Sequence, residues 1–359
     1  MSAAPMAAPA VGPLRLATRR SELAMAQSRS IGEQLAALTG RELELVEVTT
    51  QGDVDPAPLT QIGGTGVFVV AVRQAVVDGR ADVAVHSLKD LPTTPDPRLV
   101  LAAIPPREDP RDVLVARDGA TLAGLPVGAR VGTGSPRRRS QIAALRPDLE
   151  LVEIRGNVGT RIARVAGPAV GGSERGGDLD AVVLAAAGLV RLGRQDEITE
   201  LIDPDHVLPA PGQGALAVEV RADALEEADP GHGIDPQAPS RSLAAALRSL
   251  EHPDTRLAVV AERALLAALE AGCSAPVGAL AHVEPGAGAT LHLRAVMARP
   301  DGSLVRGATS GPAAEAQALG RRLADQLLAD DRTTGQTNLP AEDRIPVPGS
   351  ITAHRGSSE

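Results

Sequence analysis

The chain contains no tryptophan and no tyrosine, and only one phenylalanine, one cysteine and one lysine among its 359 residues. With one aromatic ring, base stacking cannot be a main recognition device, which argues against a single-stranded nucleic acid as ligand. One cysteine, Cys273, excludes an intramolecular disulfide and a multi-cysteine metal site, and the count fits a reducing compartment. The thiol is then either inert filling or a reagent. The seven histidines are scattered without ligand spacing, and neither a lysine-bearing phosphate loop nor a dinucleotide fingerprint occurs. No apolar run approaches the ~18 residues of a membrane span. The first twelve residues are rich in Ala and Pro, lack Arg and Lys, and do not have the layout of an export signal. These absences predict a soluble, cytoplasmic protein with a flexible start over 1–13 and a disordered, aperiodic tail over 331–359.

What is present is small aliphatic side chains, arginine and acid. The formal charge is -9, against general polyanion binding. Residues 130–164 depart from that average, with eight arginines against Asp148, Glu150 and Glu153. A cationic patch on an acidic body suits a small, multiply anionic ligand rather than a nucleic acid. At roughly 150 residues per domain the length predicts two or three domains.

Strand and helix patterns alternate. LRLAT (14–18) reads as a strand, followed by Ser21 as a helix cap and an amphipathic stretch ending at Gly40; LELVEVTT (43–50) alternates as a strand. VFVVAVRQAVVDG is long enough for a buried helix closed by Gly79, and DVAVHS is strand-like. A second run comprises DVLVAR, ARVGTG, a helix over 136–146, LELVEIR, a helix from Asn157, and LDAVVLA. ALAVEVR (215–221) and a helix over 256–272 leading to Cys273 complete the pattern. This is α/β architecture with mostly parallel sheet. The Gly/Pro-rich stretches 165–178 and 228–241 read as surface insertions or linkers.

Three segments concentrate chemistry. HSLKDLPT (86–93) places Ser87, Lys89 and Asp90 at the carboxyl end of a strand, where α/β sheets hold ligands. Taken alone it is equally a turn with a solvated lysine. VGTGSPRRRSQ (131–141) sets a glycine turn, Ser135 and three arginines at a helix start, and IRGNVGTR (154–161) repeats strand, turn, helix and arginine. Together they suit a polycarboxylate, although either one alone could be an exposed basic face. Cys273, in EAGCSAPVGALA, reads locally as a small buried hydrophobe.

In order and spacing, ATRRSELAMAQ, IGGTGVF, HSLKDLPT, VGTGSPRRRSQ, IRGNVGTR, LAAAGLVRLG, LPAPGQGALAVEVR, AERALLAALEAGC and CSAPVGALA resemble the porphobilinogen deaminase (hydroxymethylbilane synthase) family over about 14–330. The sole lysine, phenylalanine and cysteine all fall inside these motifs. The resemblance implies a transferase of tetrapyrrole and haem biosynthesis. Such an enzyme condenses four porphobilinogen molecules head to tail with loss of ammonia, then releases hydroxymethylbilane by hydrolysis. The chain grows on a dipyrromethane cofactor, joined here by a thioether to Cys273. Asp90 matches the catalytic carboxylate, which would stabilise nitrogen-centred cations and exchange protons.

Substrate and product carry acetates and propionates. Arg19, Arg137, Arg138, Arg155, Arg161 and Arg191 match the family's carboxylate-handling positions, with Ser21, Ser87, Lys89, Thr133 and Ser135 as donors. Gly156 and Gln213 fall on site motifs, and Phe68 matches an aromatic packed beside the pyrroles. Gln61 and Thr65 stand where many members have loop lysines.

The implied fold has two domains like type II periplasmic binding proteins, at 14–108 with 214–232 and at 109–213, and a smaller α/β domain at 233–330 holding the cysteine. The implied partners are porphobilinogen, the growing polypyrrole and water, with no nucleic acid, no membrane and no metal. The resemblance further implies a monomer that passes its product to uroporphyrinogen-III synthase. The alternative from another class is a non-enzymatic two-domain anion-binding protein.

Overall fold

The structure is a computed structural model that describes residues 12–49, 69–168, 174–225, 242–269, 276–286 and 288–333. The expectations for Gln61, Thr65, Phe68, Cys273, the insertion at 228–241 and both chain ends beyond these limits lie outside the described residues.

The chain begins with β1 (Leu14–Arg19), α1 (Glu22–Thr39), β2 (Leu43–Val48), α2 (Val70–Val77), β3 (Val83–Ser87) and β4 (Leu99–Ala103). There follow β5 (Asp112–Ala116), β6 (Arg130–Gly132), α3 (Pro136–Leu145), β7 (Glu150–Val152), α4 (Val158–Ile162), β8 (Gly167–Pro168), β9 (Glu174–Arg175), β10 (Ala181–Ala185), α5 (Ala186–Arg191) and β11 (Glu200–Leu201). The last third holds β12 (Leu216–Arg221), α6 (Leu243–Leu250), α7 (Pro253–Ala268), β13 (Val277–Glu284), β14 (Thr290–Ala298), β15 (Leu304–Pro312) and α8 (Ala316–Thr333). These elements form two compact units. The first comprises residues up to Arg107 with Ala215–Arg256, the second Glu108–Gly214 with the chain from Leu257.

The first unit is built on a sheet of order β2-β1-β3-β12-β4. β2, β1 and β3 are parallel, and β12 runs against both of its neighbours. One face packs Leu14, Leu16, Val83, Val85 and Val218 against Ile31 and Leu35 of α1 and Leu247 of α6. The other packs Ala17 and Ala84 against Val72 and Val76 of α2. A sheet covered on both faces needs strands apolar throughout, which is why VAVH and LAVEV read as nearly unbroken apolar runs. α1 starts and stops where local chemistry dictates. Ser21 Oγ accepts from the Ala24 N–H, and Gly40 takes φ 69 while its N–H caps the Ala36 carbonyl.

The second unit repeats this plan in the order β11-β5-β10-β6-β7, with β5 the reversed strand. Each five-stranded sheet thus has four strands in one direction and one against, in matching positions. This mixed α/β architecture bears out the α/β class read from the sequence, but the reversed strand makes half of the pairings in each large sheet antiparallel, so the sheets are less parallel than expected. The second unit also holds the antiparallel sheet β13-β14-β15, packed on α7 and α8 through Leu265, Leu293, Leu319, Leu323 and Leu327.

Two local differences from the expectations have clear causes. The stretch 165–178 is not wholly irregular, because β8 and β9 pair antiparallel. α8 runs past the expected start of the tail at residue 331, because Arg299 forms an ion pair with Asp331 and donates to the Asp330 carbonyl, holding the last turn.

Candidate active site

The expected site residues of the first unit sit where β1 and β3 end. Arg19 is the last residue of β1, and Ser21 is occupied as the cap of α1. β3 ends at Ser87, and one 3-10 turn, Leu88–Asp90, follows. Leu88 is fully buried and its N–H donates to the Ala215 carbonyl, so the turn is moored at its apolar residue while Asp90 is exposed. Ser87 is oriented by Gln27 of α1, whose Nε2 lies 3.0 Å from the serine oxygen. A carboxylate and an ammonium on a short, anchored turn at a strand end can meet a ligand with little reorganisation.

In the second unit the centre is a residue that sequence reasoning passed over. Asp112, the first residue of β5, is wholly buried and accepts from three site residues. Arg137 Nη1 donates to Oδ2 at 2.7 Å, Arg138 donates to Oδ1 through Nε at 3.0 Å and Nη2 at 2.8 Å, and Gln213 Nε2 donates to Oδ1 at 2.7 Å. Burial alone would raise the Asp112 carboxyl, but the two guanidinium groups overcome it and hold it below the usual carboxylate range. Arg137 and Arg138 are 3% and 5% exposed, and further donate to the Leu208 and Val183 carbonyls. Their guanidinium groups are therefore turned inward onto Asp112. Arg139 lies on another side of α3, with Nη1 3.5 Å from the Leu151 carbonyl.

The turn before α3 is shaped by contact. Thr133 is buried, its N–H donates to the Val152 carbonyl and its Oγ1 accepts from the Ser135 N–H. Ser135 Oγ in turn accepts from the Arg138 N–H as cap of the helix. Between them a Cβ on Gly134 would stand 2.5 Å from the Ile154 carbonyl oxygen, so only glycine lets the two strand ends approach.

The more accessible cations follow β7 and α5. Arg155 is exposed, 3.3 Å from Glu153. Arg161 Nε donates to the carbonyl of Gly156, a residue at φ 101. Burial pushes the Arg161 guanidinium down to about 10, and the neighbouring cations Arg138 and Arg155 push in the same direction. Arg191 Nη2 donates to the Gly214 carbonyl, and burial lowers this guanidinium too, against the pull of Glu108. Partly desolvated arginines that repel one another form a site for anions, and planar forks suit carboxylates.

Besides Asp112, the sequence reading missed Gln141, whose amide clamps both sides of the Leu208 peptide at 2.8 Å and 3.0 Å, and Glu219 of β12. The available signal was a lone acid within an apolar strand, as in DVLVA and LAVEV. Among the described residues, no group of three or more His, Cys, Asp or Glu is placed to hold a metal, and no helix is long and apolar enough to cross a membrane.

Comparison with known proteins bears on both units. The chain matches the family profile described as "Porphobilinogen deaminase, dipyromethane cofactor binding domain" over residues 14–228, and "Porphobilinogen deaminase, C-terminal domain" over 256–329. It is 56% identical over 311 residues to porphobilinogen deaminase of Micrococcus luteus, covering 84% of this chain and 82% of that one. Porphobilinogen deaminase 1 of Streptomyces coelicolor is 54% identical, covering 88% and 95%, and the Thermobifida fusca porphobilinogen deaminase is 52% identical, covering 89% and 96%. Among solved structures, the methionine-binding protein MetQ shows a TM-score of 0.37 at 10% identity, covering 66% of this chain and 89% of that one. The VFT2 domain of Bordetella pertussis BvgS (double mutant) shows 0.34 at 16%, covering 66% and 88%. The two profile matches and the identities above 50% place the chain in the porphobilinogen deaminase family.

Proposed function

We propose that the chain is a hydroxymethylbilane synthase, joining four porphobilinogen molecules head to tail with release of ammonia and freeing the linear tetrapyrrole by hydrolysis. Beyond family membership, the observation that carries this reading is the arginine cluster of the second unit. Arg161 is depressed to about 10 by burial and by Arg138 and Arg155, so the cluster favours an anionic guest. Porphobilinogen and its oligomers bring two carboxylates per ring.

The same donor set fits a dipyrromethane, whose side chains are carboxylates, and Arg155, Arg161 and Arg191 would share their forks between it and the incoming substrate while Cys273 binds it covalently. When bound, that group supplies the pyrrole carbon to which the first substrate joins. We assign the third sheet, with α7 and α8, as the attachment domain. Thr133 and Ser135, with the inward-turned Arg137 and Arg138, keep the anion site in shape. Asp90, exposed at the end of its turn, faces positive charge developing on the pyrrole nitrogens and takes up and returns protons at its carboxylate oxygens. Arg19, Ser21, Ser87 and Lys89 donate to substrate carboxylates, Gln213 and Gly156 set the geometry of their loops, and Phe68 packs against a ring.

We propose further that the enzyme acts as a cytoplasmic monomer and passes its product to a uroporphyrinogen-III synthase. A non-enzymatic anion-binding role is not favoured, since the family match runs through both the cofactor-binding and C-terminal domains.

Intact-protein mass spectrometry is the direct test. A dipyrrole adduct mapping to the Cys273 peptide is expected, and an unmodified, inactive protein would overturn the assignment. Asp90→Asn should keep the adduct and lose turnover by roughly a hundredfold or more; near-normal turnover removes Asp90 from the chemistry.

A further inference from the structure

Among its described residues the first unit fully buries one carboxylate, Glu219 in β12, 4% exposed. Arg73 of α2 grips both of its oxygens, with Nε donating to Oε2 at 2.8 Å and Nη2 to Oε1 at 2.7 Å. His86 Nε2 lies 3.3 Å from Oε2. Burial would raise the Glu219 carboxyl, but His86 and Arg73 outweigh it and bring it down to about 2.

The location gives this trio its meaning. Glu219 stands opposite Ala84 in the β12–β3 ladder, and His86 is two residues farther along β3, so both point to the face that α2 covers. Ser87, next in the strand, points to the other face and is held by Gln27 of α1. The stem of the Leu88–Asp90 turn thus has a hydrogen bond on one face, at Ser87, and a buried carboxylate 3.3 Å from His86 on the other. Apolar side chains of similar volume could fill the same space with equal or better stability, because desolvating an ion pair is costly. What the carboxylate adds is direction. It ties α2 to β12 through Arg73 and stands within ion-pair reach of the His86 ring at the strand end.

We propose that Glu219 is a positioning residue for the Leu88–Asp90 turn, acting through His86 on the strand end and through Arg73 on α2. The proposal rests on the assignment of Asp90 to the chemistry. The carboxylate-binding arginines of the second unit are untouched by Glu219, and of the substrate donors only Lys89 and its neighbour Ser87 ride on this turn, so its loss should fall more heavily on kcat than on KM.

The test uses holoenzyme carrying Glu219→Gln, alone and with Arg73→Met, the double variant leaving no buried charge without its partner. Cofactor loading is read by intact mass, stability by thermal melting, and kcat and KM with porphobilinogen. The double variant should load its cofactor and melt close to the parent protein. Its kcat per loaded molecule should fall roughly tenfold to a hundredfold, with KM changed less than about threefold. A purely structural role would restore kcat together with stability, and a parental kcat in the double variant overturns the proposal. Should neither variant fold, His86→Leu leaves the Glu219–Arg73 pair intact and is judged by the same two outcomes. Asp90→Asn, run in parallel, separates the failures. Normal turnover there removes the underlying reading, whereas lost turnover there beside a parental kcat in the Glu219 variants overturns this proposal alone.

Discussion

Asp112 binds two guanidinium groups and a carboxamide through two oxygens, all out of solvent. Its contribution is best seen by removing the charge and keeping the shape. Asp112→Asn would leave Arg137 and Arg138 facing each other as buried cations, and loss of one partner of such a cluster costs roughly 3–5 kcal/mol. Urea unfolding should register that loss, and a change below about 1 kcal/mol would mean that the arginines find other partners. Glu219 makes a related but pH-dependent contribution. Its folded value of about 2 lies below the ordinary 4.5, so its stabilisation is complete above pH 4.5 and fades as pH falls toward 2. The amount is roughly 3 kcal/mol. The stability gap between the parent protein and Glu219→Gln should therefore be wide at neutral pH and narrow on acidification. A gap that stays constant would show that the carboxylate titrates normally.

At the scale of elements, the turns carry information that single residues do not. Gly156 sits at φ 101, and a Cβ there would stand 2.3 Å from Thr160 Oγ1. That hydroxyl donates to the Asn157 carbonyl at 3.0 Å in the first turn of α4. Gly156→Ala should thus lose about 1–3 kcal/mol through strained backbone and a displaced Thr160, and should displace Arg161, whose Nε binds the Gly156 carbonyl. A lower Tm with raised KM is expected, and an unchanged KM would separate the turn from ligand binding. Such turns were legible in the sequence because their chemistry is local. Ser21 and Asn157 each cap a helix by accepting from an N–H three residues on, as their positions before helical patterns suggested, and Ser135, read as a group facing an anion, caps its helix in the same way. The partners of the buried acids were not legible. Asp112 meets its arginines 25 and 26 residues away, and Glu219 meets Arg73 across 146. No local pattern encodes such pairings; they exist only once the sheets have formed. β4 and the antiparallel third sheet also went unread, although TLHLRAVMA alternates as a strand. The roles of Phe68 and Cys273 rest on family motifs alone.

For the molecule as a whole, the formal charge of -9 and the local arginine excess make opposite demands on an anionic substrate. Porphobilinogen bears two carboxylates and one ammonium and is a net anion at neutral pH. If the overall charge governed encounter, added salt would screen repulsion and lower KM. If the arginine patch governs, salt screens attraction and raises it. Distance decides between them. At ~0.1 M ionic strength the Debye length is ~10 Å, so charges spread over the body are already damped where the substrate meets Arg155 and Arg161. Those two cations act at contact range, Arg161 in partly desolvated surroundings, where screening is weaker but not absent. KM should therefore rise a few-fold between ~0.05 M and ~0.5 M salt, with kcat nearly constant because Asp90 works on bound substrate. Arg155→Gln with Arg161→Gln should raise KM at low salt and flatten its salt dependence. A KM that falls with salt in the parent protein would place the governing field in the acidic body and remove the arginine cluster from substrate capture.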